Sequence, residues 1–104
     1  MARVIVTAAH IADGRPRPAA NPVALAARAA FPGSSHVVCG AEVLYLTMPD
    51  GWRYEHALPE EVSYLLAAYY DGEPLTPFSF AAGEPVFAYR WRPVRTSAAR
   101  GRAA

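Results

Sequence analysis

Apolar and polar positions along the chain switch between two periods, and the switches mark out the elements. Val4-Ile5-Val6 is a short β-rich run, after which Thr7 is placed to cap a helical turn over Ala8–Asp13. Gly14 is expected to end that turn with a positive φ. Arg15-Pro16-Arg17-Pro18-Ala19-Ala20 reads as a stiff, exposed connector, because each proline biases the residue before it towards extended geometry. Asn21-Pro22 is a helix start: the asparagine side chain accepts from an orphan amide, and proline fits the first helical position. The alanine-rich helix continues from Val23 to Ala30 and stops at Phe31-Pro32-Gly33.

From Ser35 the pattern turns extended. His36-Val37-Val38-Cys39 is a short strand before a bend at Gly40. Glu42 to Met48 sets Val43, Tyr45 and Thr47 on one face and Leu44, Leu46 and Met48 on the other. Pro49-Asp50-Gly51 is a turn, and Trp52 to Ala57 returns as the hairpin partner. Leu58-Pro59-Glu60-Glu61 opens a second helix with two carboxylates at its positive end, and Gly72 closes it. Val62, Leu65, Leu66 and Tyr69 form its core-facing stripe. Phe78-Ser79-Phe80 and Val86 to Trp91 complete the extended runs. The sum predicts an α+β fold, a small, mainly antiparallel sheet of four to five strands packed on two helices, with strand order open. Residues 1–95 form the single domain and 96–104 a disordered basic tail.

Composition refines this picture in three respects. At 104 residues, with 53% hydrophobic and 18% charged residues, the chain can bury one core. Its single cysteine, Cys39, excludes an intrachain disulfide, which points to a reducing compartment. The start lacks the apolar run of a cleavable signal and no stretch is long enough to span a bilayer, so a cytoplasmic protein with no membrane contact is expected. The net charge of +1 hides an asymmetry: residues 1–89 carry nine acids and five arginines, whereas 90–104 carry five arginines and no acid. A mildly acidic body thus precedes a basic end.

Candidate chemistry is sparse. Glycine-rich phosphate loops, nucleophile elbows and paired-histidine zinc helices are missing from the sequence. His36 and Cys39 have half the spacing of a metal site, but residues three apart on a strand face opposite ways, so no metal and no cofactor is expected. Cys39 beside Val37 and Val38 reads as a small buried hydrophobe rather than a nucleophile. Glu60 and Glu61 diverge around a helix and serve its dipole. No catalytic residue is assigned. Tyr89, Arg90, Trp91, Arg92, Arg95, Arg100 and Arg102 interleave rings with guanidinium groups, a pattern that can stack bases and hold phosphates. The plainer reading of the same run puts Phe87, Tyr89 and Trp91 on the core and the arginines in solvent. Trp52, Tyr54, Tyr64 and Tyr70 are candidate anchors for a protein partner.

The order of segments Val6-Thr7-x-x-His10-Ile11-x-x-Gly14, Asn21-Pro22-Val23-Ala24-Leu25-Ala26, Leu58-Pro59, Asp71-Gly72 and Pro77-Phe78-x-Phe80 resembles a group of short uncharacterised proteins of phages and prophages in GC-rich bacteria. The resemblance covers about residues 4–80 and departs at Asn21, where that group often has cysteine. It implies a small α+β accessory protein and brings no activity, cofactor or catalytic residue. On these grounds the sequence is expected to encode a non-enzymatic accessory protein binding a host macromolecule, a protein partner first. Nucleic-acid binding through residues 89–102 is the alternative.

Overall fold

The structure, a computed structural model, describes residues 2–91. The elements run β1 (Ala2–Val6), α1 (Ala8–Asp13), α2 (Pro22–Ala30), β2 (His36–Cys39), β3 (Val43–Thr47), β4 (Trp52–Ala57), α3 (Glu60–Tyr70), β5 (Phe78–Ala82) and β6 (Phe87–Arg90). The fold is α+β, with every strand pair antiparallel. The strands divide into two sheets: β1 pairs with β5, and a second sheet has the order β2-β3-β4-β6. Gly83 to Val86 carries the chain between them. His56 Nδ1–H donates to the Gly83 carbonyl at 2.9 Å, and the Val86 amide donates to the Glu55 carbonyl at 2.7 Å.

Local chemistry accounts for the element ends. The Thr7 hydroxyl accepts from the His10 amide, and His10 Nδ1 accepts from the Thr7 amide at 3.1 Å, so both ends of the α1 cap are satisfied reciprocally. Asn21 Oδ1 accepts from the Ala24 amide at 2.9 Å at the start of α2. In the β3–β4 turn Asp50 Oδ1 accepts from the Trp52 amide, while Gly51 adopts φ +94°. Gly14 departs from expectation: its φ is −70°, an ordinary extended value. Glycine is needed there for room, since a Cβ would sit 2.8 Å from the Pro22 ring. The 15–20 connector is exposed but closed on itself, with Arg15 N–H on the Ala20 carbonyl, and its Pro18 carbonyl accepts from the Cys39 amide.

One core joins the layers. Val4, Val6, Phe80 and Ala82 come from the first sheet, Val37, Cys39, Leu44 and Leu46 from the second, and Val23, Ala24, Ala26 and Ala27 from α2. Leu58, Val62 and Leu66 complete it, a straight i, i+4, i+8 line along the start and face of α3. Leu65, expected in that line, is 37% exposed. It stands about 100° around the axis from Leu66, at the rim of a groove shared with Phe78 and Phe80. Among the described residues no helix is long and apolar enough to cross a membrane.

Candidate functional site

Cross-strand register decides which side chains share a face. His36, Thr47, Arg53 and Tyr89 form one row across β2, β3, β4 and β6, and Val38, Tyr45, Glu55 and Phe87 form the next. These rows lie opposite the face that carries Leu44, Leu46 and Cys39 into the core. Apart from Thr47, the side chains of both rows are exposed or half-buried. Arg53 organises the face. Its Nε donates to Thr47 Oγ1 at 3.0 Å, and its guanidinium carbon lies 4.2 Å from the centre of the Trp91 ring and 5.2 Å from that of Tyr45. The cation is thereby held between two rings. The Trp91 ring extends on towards His36, 6.0 Å between centroids. Tyr89 donates its hydroxyl to Glu55 Oε2 at 2.6 Å. That bond to the carboxylate raises the tyrosine pKa above its ordinary value, with slight burial adding to it. Phe87 is 64% exposed.

The expectation that Phe87, Tyr89 and Trp91 face the core is corrected. β6 pairs with β4 as the last strand of its sheet, and its register matches Phe87 with Glu55 and Tyr89 with Arg53 on the outward side. Arg90, paired with Trp52, stands on the other face of β6, its guanidinium near Gly51. Arg92, Arg95, Arg100 and Arg102 lie outside the described residues. Of the nucleic-acid candidates, the structure therefore brings Tyr89 and Trp91 together. It adds Tyr45, Arg53, His36 and Phe87, none of which the sequence singled out for this site. Alternation in β3 and β4 was the available signal, but it needed the hairpin register and the place of β6 to become a surface.

The proposed protein anchors lie on two elements, β4 and α3. Trp52 and Tyr54 are half-buried on the core-side face of β4, where Tyr54 is matched with Leu46. Tyr64 is 80% exposed on α3. Tyr70, six residues on, accepts at its hydroxyl from Asn21 Nδ2 at 3.2 Å and meets Tyr69 edge-on.

Groups with reactive potential are held in structural roles. Cys39 is buried, and burial pushes its thiol from 9.0 up to about 12, against a small opposing effect of Asn21, so it stays protonated at neutral pH. A cavity of about 420 Å³ lies beside it, lined mainly by apolar groups including Pro18, Leu66 and Ala67, with Tyr70 and Asp71 at its polar side. His10 caps α1 and His56 bonds Gly83. Among the described residues no group of three His, Cys, Asp or Glu side chains is arranged to hold a metal ion. The chain matches no family model, no curated protein and no solved structure.

Proposed function

We propose that this chain is a non-enzymatic accessory protein, of the phage type its sequence resembles, that binds nucleic acid in the cytoplasm through the open face of its four-stranded sheet. The observation that carries the reading is the cluster of Tyr45, Arg53, Tyr89 and Trp91 on that face. Immediately after Trp91 the sequence supplies Arg92, Arg95, Arg100 and Arg102 with no acid. Rings on a sheet offer surfaces for bases, and arginines offer bidentate partners for phosphates. Residues 1–89 carry an excess of acids, so polyanion attraction is concentrated at one end of the chain.

The test is fluorescence anisotropy with short labelled oligonucleotides over a salt series. Binding at about 50 mM salt should weaken steeply as salt rises. Replacing Arg92, Arg95, Arg100 and Arg102 by glutamine should flatten log K against log salt by about 0.7–0.9 for each phosphate left without its arginine. No binding of any oligonucleotide at low salt overturns the reading. So does capture of a host protein that survives nuclease and disappears in Tyr64→Ala, which would favour the protein partner instead.

A further inference from the structure

The open face also limits the form of nucleic acid it can accept. We infer that it takes unpaired strands in preference to duplex, with Trp91 as the stacking platform and Arg53 as the residue that positions it. This rests on the nucleic-acid reading above and adds to it the strand state of the ligand.

The argument begins with how the rings are presented. In a duplex the flat faces of the bases are covered by their neighbours, and a protein meets base edges and phosphates. Flat faces become available when a strand is unpaired, and aromatic side chains on a sheet are a recurrent solution for gripping them. Here one side of the indole of Trp91 is held against the Arg53 guanidinium, 4.2 Å from the ring centre. The residue is only half-buried, so part of its surface is accessible.

Arg53 is itself fixed by Thr47 Oγ1 and by the ring of Tyr45. Thr47 is 3% exposed. The platform is thus oriented before a ligand arrives, which lowers the ordering cost of binding.

A second ring stands in line with the first. Phe87 lies on the outward face of β6, and Trp91 follows the strand's last residue, Arg90. Extended chain at about 3.3 Å per residue would set two such residues about 13 Å apart, close to the length of four stacked nucleotides in one strand. Tyr89, between them, is tied to Glu55, the carboxylate of this face among its described residues. A bound strand would therefore keep its phosphates clear of that carboxylate and set its bases on the rings. The Arg53 guanidinium and the two rings offer chemistry for the same occupant, a strand with open base faces.

The experiment uses the full chain with three probes: a labelled 12-nucleotide oligo-dT, a single-stranded oligo-rU of the same length, and a 12-base-pair duplex. Both single strands should bind at least tenfold more tightly than the duplex, and Trp91 emission should be quenched in a Trp52→Phe background. Trp91→Ala should weaken single-strand binding about 5- to 150-fold, the range for loss of one stacked base, and leave duplex binding unchanged. Trp91→Phe, which keeps a ring, should retain most of the affinity. Arg53→Gln should weaken single-strand binding and alter the indole emission of the free protein, and Arg53→Lys should restore part of both. Equal binding of single strands and duplex, or equal loss of both in Trp91→Ala, overturns this inference while the nucleic-acid reading stands. Absence of binding to all three probes overturns both.

Discussion

Asn21 is the residue whose removal should be felt furthest from its own position. It is fully buried, and its side chain is committed in three directions. Oδ1 accepts from the Ala24 amide at 2.9 Å, while Nδ2 donates to the Cys39 carbonyl at 3.0 Å and to the Tyr70 hydroxyl at 3.2 Å. One amide thus caps α2, closes the end of β2 and holds the last residue of α3. In Asn21→Ala the missing cap costs about 0.5–2 kcal/mol. The orphaned, buried Cys39 carbonyl costs about 1–3 kcal/mol more. Tyr70 is 43% exposed, so water replaces the third bond at little cost. The expected loss is about 2–4 kcal/mol, or roughly 10–30 °C in Tm for a domain of this size. Urea unfolding followed by circular dichroism measures it as a fall in midpoint at constant slope. Asn21→Ser keeps an acceptor for the cap and should recover about 1 kcal/mol. Asn21→Asp keeps the cap but turns a carboxylate oxygen towards the Cys39 carbonyl, so it should be worse than serine at neutral pH and improve as the acid is protonated. A melting temperature for Asn21→Ala within about 4 °C of the parent would refute the three-way account.

Three further outcomes follow from burial. Gly14→Ala should destabilise by about 1–3 kcal/mol in thermal melts, through contact with the Pro22 ring at 2.8 Å and not through φ. Leu66→Ala should cost about 2–5 kcal/mol in urea unfolding, and Leu65→Ala, at the rim, clearly less; equal losses would contradict the burial of α3. The raised thiol of Cys39 is protonated in the folded chain where the unfolded thiol has ionised, so its stabilising effect is complete below pH 9 and is lost as pH rises towards about 12. At about 1.4 kcal/mol per pH unit this amounts to at most about 4 kcal/mol, and Cys39→Ala should flatten that part of a stability–pH curve.

The features legible in the sequence are those whose partners lie within a few residues. Thr7 and His10, Asn21 and Ala24, and the Pro49-Asp50-Gly51 turn each close a bond inside one turn of chain, and each forms as the residue types require. The pairing of Ala2–Val6 with Phe78–Ala82 has no such local signal, which is why two sheets replace one. The same holds for Gly14, whose constraint is a ring eight residues away, and for the bonds of Asn21 to Cys39 and Tyr70.

The candidate site depends on this distinction more than any other part of the molecule. Alternation in 86–91 establishes that Phe87, Tyr89 and Trp91 share a face, and says nothing about which face it is. The pairing of β6 with β4 decides that, matching Phe87 with Glu55 and Tyr89 with Arg53, and the Trp91 amide continues the same register onto the Gly51 carbonyl at 2.8 Å. A slip of one residue would turn all three rings to the core side and bring Ala88 and Arg90 outward, where no guanidinium would be caged between Tyr45 and Trp91. Arg53 adds a side-chain reason for the observed register: Thr47 and Tyr45 of β3 hold its cation on one side, and the Trp91 ring beyond β6 meets it on the other. The exposed face of Tyr45, Arg53, Tyr89 and Trp91 and the interactions that hold β6 in place are therefore one and the same.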